Sequence, residues 1–190
     1  MDDEGGLQHE IIEFPAIFLN SETLEVDFEF HAYVRSTENP VLSQFCFTLT
    51  GIEQAWVDAA DDLETVLTNF NVFLKDNNIT DFTACTDGPW DFLKFLQPET
   101  LRKDIPYPPW AVKWIDIRRR FELTFKLEKW VGVTDMLAIL GLEFEGREHS
   151  GIDDARNIAR ITKAVHEKLE RPGKIRANRT IQTKKPAQKR

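Results

Sequence analysis

Apolar and polar positions along the chain follow two different periods. "EIIEFPAIFLN" (10–20) is a β-rich apolar run, and "VDFEFHAYVR" (26–35) alternates apolar with polar. With the short "SETLE" between them, they predict an antiparallel hairpin. The period then changes. Leu63, Val66, Leu67, Phe70, Phe73 and Leu74 fall at i, i+3, i+4, i+7, i+10 and i+11, one apolar helix stripe with Asp61 or Asp62 placed to cap its start. "DFTACTD" (81–87) is a short strand running into "GPWDFLKFL" (88–96), a strand-to-helix junction. "PYPPW" (106–110) is a loop, "WIDIRRRF" a further short element, and "VTDMLAILGL" (133–142) a helix ended by Gly141. In the final helix Ala155, Ile158, Ile161, Val165 and Leu169 form the buried stripe, Arg156, Arg160 and Lys163 face outward, and "RPG" stops it.

Strands alternating with helices point to an α/β fold, with a mixed sheet because the opening hairpin is antiparallel. The 190 residues suit one domain ending near Glu170, and no repeat is present. Apolar runs are far shorter than the roughly 20 residues a bilayer requires, so no membrane span is expected. The acidic start "MDDEGGLQHE" lacks the layout of a signal peptide. Cys46 and Cys85 have no metal-type spacing and are too few for a disulfide framework, which suggests a reducing intracellular compartment, cytoplasmic or nuclear.

Charge sharpens the picture. The net charge of −8 argues at first against a nucleic-acid partner, but residues 171–190 hold eight basic side chains and no acidic one, leaving −16 on the first 170. Clustered carboxylates suit hard cations, and a basic tail suits a phosphate backbone. A solubilising surface with a flexible end has the same composition.

Several stretches carry candidate chemistry, each with a plainer alternative. In "HSGIDDARN" (149–157), Ser150 and Asp153 form a capping-box pattern at a helix start. The same stretch could place Asp154 as a metal ligand and His149 as a general base toward a metal-bound water. Asp91 lies just past a predicted strand, where ligand-binding groups gather in α/β sheets, yet it also reads as one more helix-start aspartate. Asp87 is placed to cap that turn or orient Asp91. Gly51, in "FCFTLTGI" (45–52), would allow close approach of a ligand to backbone, or simply make a turn. Arg118, Arg119 and Arg120 on a strand would alternate faces and form no single patch. Tyr107, Trp110 and Trp114 could stack on bases, although packing is the usual work of large aromatics.

Taken together and in order, "HEIIEFPAIFLN", "FHAYVRSTENPVLSQFCFTLTGI", "TDGPWDFLKFL", "WIDIRRRF" and "LGLEFEGREHSGIDDARNIARI" resemble the histone-mRNA and small-RNA 3′→5′ exoribonucleases. These are the enhanced-RNAi exonucleases, DEDDh enzymes of the RNase H-like fold. The likeness spans residues 9 to 165. It implies hydrolysis at RNA 3′ ends with two Mg²⁺ or Mn²⁺ ions held by four acidic residues, beside a histidine base. On that resemblance His149 matches the base, Asp154 the last acidic ligand and Asp91 the acidic residue of the middle motif. Phe45, Leu49, Thr50, Gly51, Trp90 and Phe92 fall where the family builds its terminal-nucleotide pocket.

The family's first motif, Asp-Phe-Glu-Ala-Thr-Cys on a central strand, should precede "HEIIEFP" by about a dozen residues. Only eight residues precede His9, and although Asp2-Asp3-Glu4 contains the spacing, glycines follow at once. The expectation is therefore an RNase H-like sheet without its central strand, two strand edges left unpaired, and weak activity at most. Two readings follow: an exoribonuclease lacking its first motif, or a degenerate module that binds RNA ends or a protein without cutting.

Overall fold

The computed structural model describes residues 9–170. Asp2, Asp3 and Glu4, and the basic segment from Arg171 onward, lie outside the described residues.

The hairpin forms as the alternation predicts. β1 (Glu13–Leu19) pairs antiparallel with β2 (Val26–Tyr33), from Glu13 opposite Tyr33 to Phe18 opposite Phe28. Pairing sets Phe14, Ala16 and Phe18 on the same face as Phe28, Phe30 and Ala32. After two short helices, α1 (Gln44–Thr50) and α2 (Gln54–Asp58), α3 (Leu63–Asp76) lays its stripe on that face. Phe70 meets Phe14 and Phe30 with ring centres 5.2 and 5.1 Å apart, edge to face. Asp62 caps α3 by accepting from the Thr65 N–H at 3.0 Å.

β3 (Ala84–Thr86) leads into a π-helical stretch, Trp90–Leu96, continuous with α4 (Gln97–Arg102). Pro98 accounts for the wide turn: it lacks an N–H, and its ring needs room beside the preceding carbonyls. A 3₁₀ turn (Pro109–Ala111), β4 (Trp114–Asp116), α5 (Ile117–Phe125), α6 (Val133–Leu140) and α7 (Gly151–Glu170) complete the order. Gly141, at φ 75°, ends α6 as expected.

In place of one mixed sheet there are two ribbons: antiparallel β1–β2, and parallel β3–β4 with Cys85 opposite Ile115. Among the described residues no strand joins them, so β1 and β3 each pair on one side only. The cost shows in β1. It is apolar at Phe14, Ala16, Ile17, Phe18 and Leu19, the pattern of a strand covered on both faces, yet every one of its residues is only half-buried. The interior splits accordingly. Val34, Leu63, Val66, Leu67, Phe92 and Leu96 form one core under the hairpin. Ile117, Phe121, Val131, Met136, Leu137, Ile161 and Val165 form another among α5, α6 and α7.

Two sequence expectations fail locally. Arg118, Arg119 and Arg120 lie on α5 and not on a strand: Asp116 ends β4 and accepts from the Arg119 N–H at 2.9 Å, starting a helix whose buried residues are Ile117 and Phe121. Leu169 is exposed and not part of the buried stripe, because the second core ends at Val165. Tyr107, Trp110 and Trp114 pack against the first core, Tyr107 donating to the Ala111 carbonyl at 3.2 Å.

One buried carboxylate fastens the start of the described chain. Glu10 accepts from the N–H groups of Thr37, Glu38 and Asn39 at 2.8, 3.0 and 2.6 Å and from Lys103 at 2.6 Å. Burial opposes its charge, but the Lys103 ammonium and the three N–H groups outweigh that and hold Glu10 down at about 2. A depressed carboxyl stabilises the fold above its ordinary pKa and loses that contribution as the pH falls from about 4.5 toward 2. Glu10→Gln should therefore cost about 1–3 kcal/mol at pH 7. Its urea midpoint should also fall less steeply than wild type between pH 4.5 and pH 2; parallel profiles would contradict this role.

Candidate active site

Helix α7 and the loop ahead of it carry the two central candidates. The loop is tied to the helix by side chains that α7 itself supplies. Asn157, fully buried, accepts from the Glu145 N–H at 3.1 Å and donates to the Glu145 carbonyl at 2.8 Å. Asp153 accepts from the Arg147 N–H at 2.9 Å. Gly146 turns at φ 88°, and a Cβ there would stand 2.4 Å from the Asp153 carboxyl carbon, so only glycine fits. His149 follows in the left-handed region at φ 69°, unusual for a side chain of its size, and is exposed to solvent.

The capping box read from Ser150 and Asp153 does not form. Asp153 turns back to Arg147, and the helix start is capped from another element. The Glu13 carboxylate on β1 accepts from the N–H groups of Gly151 and Ile152 at 2.7 and 3.0 Å. Glu13 also meets His31 Nε2 at 2.8 Å. Nothing in the local sequence of either segment announces this contact. Only a carboxylate at an inward strand position and a glycine at helix position one hint at it.

Asp154, in the first turn of α7, receives the backbone N–H of His149. Lost hydration nevertheless pushes its carboxyl up to about 6, with Glu13 and Asp87 adding negative charge nearby. Asp91 begins the π-helical stretch. Its side chain reaches the surface, yet lost hydration from the surrounding protein and then the charge of Asp87 push it up to about 6. Asp87 thus faces both candidates. It neither caps its turn nor bonds to Asp91; it pairs with Arg118, whose Nε lies 2.8 Å from Oδ1 and whose Nη2 meets Oδ2. Arg118 in turn lies 4.1 Å from the ring centre of Trp130. Asp91 and Asp154 are therefore two raised carboxyls that share Asp87 as a negative neighbour, and the Arg118 guanidinium is engaged by Asp87. Among the described residues, no three histidine, cysteine, aspartate or glutamate side chains gather closely enough to hold a cation.

The pocket residues divide. Phe45 and Trp90 present large apolar surfaces to solvent, 74% and 53% exposed, and Leu49 is 37% exposed. Phe92 is buried against Trp110 and Trp114 and offers a ligand almost no surface. Thr50 closes α1, its hydroxyl donating to the Cys46 carbonyl and accepting from the Ile52 N–H. Gly51 ends the helix at φ 76°, and what approaches it closely is the guanidinium of Arg147, which donates to the Thr48 carbonyl at 2.8 Å. The sequence alone does not single out Glu13, Arg147 or Asn157, and it does not pair Arg118 with Asp87, because each acts across a long separation.

The raised carboxyls have a signed consequence. A carboxyl lifted from about 3.8 to about 6 contributes fully below the lower value, and the contribution is lost as the pH rises through the higher one. In metal-free buffer, Asp91→Asn and Asp154→Asn should each melt a few degrees above wild type at pH 8 and close to it at pH 4. Equal melting at pH 8 would show that the two charges are not crowded.

Comparison with known proteins supplies the context. The exonuclease family model RNase T matches residues 3–162. The 3′-5′ exoribonuclease 1 of Rattus norvegicus is 43% identical over 157 residues, covering 80% of this chain and 46% of the relative. The chain thus spans under half the length of that protein. A crystallographic structure of the nuclease domain of 3′hExo, a DEDDh family member, bound to rAMP superposes with a TM-score of 0.81 at 40% identity. It covers 94% of this chain and 92% of that one. A 3′-exonuclease solved for 3′-end specific recognition of histone mRNA stem-loop gives a TM-score of 0.80 at 40% identity, covering 93% and 62% of the two chains. The mixed α/β architecture is RNase H-like, that of DEDDh nucleases, which use divalent metal ions. The chain belongs to the RNase T family of exonucleases.

Proposed function

We propose that this protein removes nucleotides from RNA 3′ ends by phosphodiester hydrolysis, with His149 as general base. The observation that carries the reading is the pairing of His149 and Asp154 across the start of α7: the carboxylate receives the histidine's backbone N–H and leaves the imidazole free in solvent. A neutral imidazole so placed can take a proton from an attacking water near pH 7. The left-handed backbone at His149 fixes where the ring departs from the chain. Phe45, Leu49 and Trp90 offer exposed surfaces on which a terminal base could stack. Such stacking is worth about 1–3 kcal/mol per base and is indifferent to which base it meets. Single-stranded ends or short overhangs are the substrates this arrangement suits, in the cytoplasm or nucleus. The segment from Arg171 would add non-specific phosphate contacts.

The metal is the weak point of the set. The resemblance implies two Mg²⁺ or Mn²⁺ ions, and Asp91 and Asp154 are of the right chemistry for hard cations. Two carboxylates do not make a two-ion cage, and no third ligand joins them among the described residues. Residues 9–170 therefore do not fit the pair of ions by themselves. That same observation supports the second reading, a module that holds RNA ends without cutting.

Incubating the 190-residue protein with a 5′-labelled RNA in Mg²⁺ or Mn²⁺ separates the two. Shortening from the 3′ end, slowed by about 10²-fold or more in His149→Ala with RNA binding retained, is the expected result for the enzyme. Should this chain fail while a form extended upstream by an Asp-x-Glu strand cuts, the enzyme reading holds for the extended form. Binding without cutting by both forms favours the module, and neither binding nor cutting removes both readings.

A further inference from the structure

Arg147 is fastened at both of its ends to different elements. Its backbone N–H donates to Asp153 in the first turn of α7, and its carbonyl accepts from the Ser150 N–H at 3.2 Å. Its side chain crosses to α1, donating to the Thr48 carbonyl at 2.8 Å. Carbonyls at a helix end lack intrahelical partners and carry partial negative charge, so a guanidinium is well placed there. The seat is tight: a Cβ on Gly51 would stand 2.0 Å from Arg147 Nη1 and 2.6 Å from Cζ. His149 is two residues further on, and Thr50 and Gly51 are beside the seat. The sequence alone left Gly51 as a turn or as room for a ligand; here it makes the turn, and the space over it holds this arginine.

We propose that Arg147 is a positioning residue that locks the loop bearing His149 to the C-terminal end of α1, so that a nucleotide seated against α1 and the histidine are aligned by one side chain. The coupling rests on the reading of Phe45, Leu49, Thr50 and Gly51 as part of a terminal-nucleotide seat; the clamp itself does not. Because Arg147 lies at the surface and outside both cores, its replacement leaves the fold in place. Lysine would keep the charge but not the flat group that fills the space over Gly51.

The test begins with hydrogen exchange on the free 190-residue protein. Arg147→Ala should speed exchange about tenfold in both residues 48–52 and residues 145–150, with circular dichroism and melting close to wild type. Gly51→Ala, which keeps the arginine but fills its seat, should speed exchange in 145–150 as well. It decides the matter if Arg147→Ala does not fold. A response confined to 145–150 in Arg147→Ala, or none in either segment, overturns the clamp. The coupling is read by NMR with adenosine 5′-monophosphate in Mg²⁺ buffer. The ligand should shift the His149 ring signals in wild type and move them less than a third as far in Arg147→Ala. An undiminished shift in the variant overturns the coupling through Arg147. No shift in wild type overturns the nucleotide seat itself, a different failure.

Discussion

The carboxylate of Glu13 on the start of α7 is the contact on which the arrangement of this molecule turns. The two ribbons of strand are not hydrogen-bonded to each other among the described residues, so no continuous sheet sets the hairpin against the helical half. Helix α7 does it. Its lower turns belong to the second core through Ile161 and Val165, while its first turn is capped by a side chain of β1. A carboxylate accepting from two helix-start N–H groups is worth about 1–2 kcal/mol in a partly buried setting, and it is directional. Gly151 allows it: a Cβ there would come within 2.7 Å of Glu13 Oε2. The position of α7 fixes Asp154, and the loop pinned to α7 fixes His149.

The start of α7 is also where the electrostatics concentrate. Asp91, in the turn after β3, and Asp154, in the first turn of α7, both feel the charge of Asp87. Lost hydration and the charge of Asp87 push both carboxyls up, against which Asp154 has only His149. The packing is incomplete elsewhere: β1 is half-buried throughout, and the indole N–H groups of Trp110 and Trp114 are buried with no hydrogen-bond partner among the described residues.

Much of this could be read before any coordinates. The hairpin, the α3 stripe with Asp62 at its cap, the end of α6 at Gly141 and the span of α7 all follow from period and capping chemistry, which act over a few residues. The likeness to exoribonucleases was legible from runs such as "LTGI" and "GREHSGIDDARNIA", and with it the two strand edges left unpaired among the described residues. Arg118–Arg120 were misread for a local reason as well. "WIDIRRRF" is too short to tell a strand from a strand that ends at its own helix cap.

What the sequence determined by itself was therefore everything set by neighbours along the chain: element type, most boundaries, and which residue types stand ready for chemistry. The tertiary structure decided who meets whom. Ser150 and Asp153 look like a self-contained cap, yet Glu13, 138 residues from Gly151, takes that place. Gly51 reads as a turn or as room for a ligand, yet Arg147, 99 residues from Thr48, fills the space over it. Backbone donors and close-approach sites accept whichever partner the fold delivers first. That choice depends on distances between elements, which no local pattern encodes.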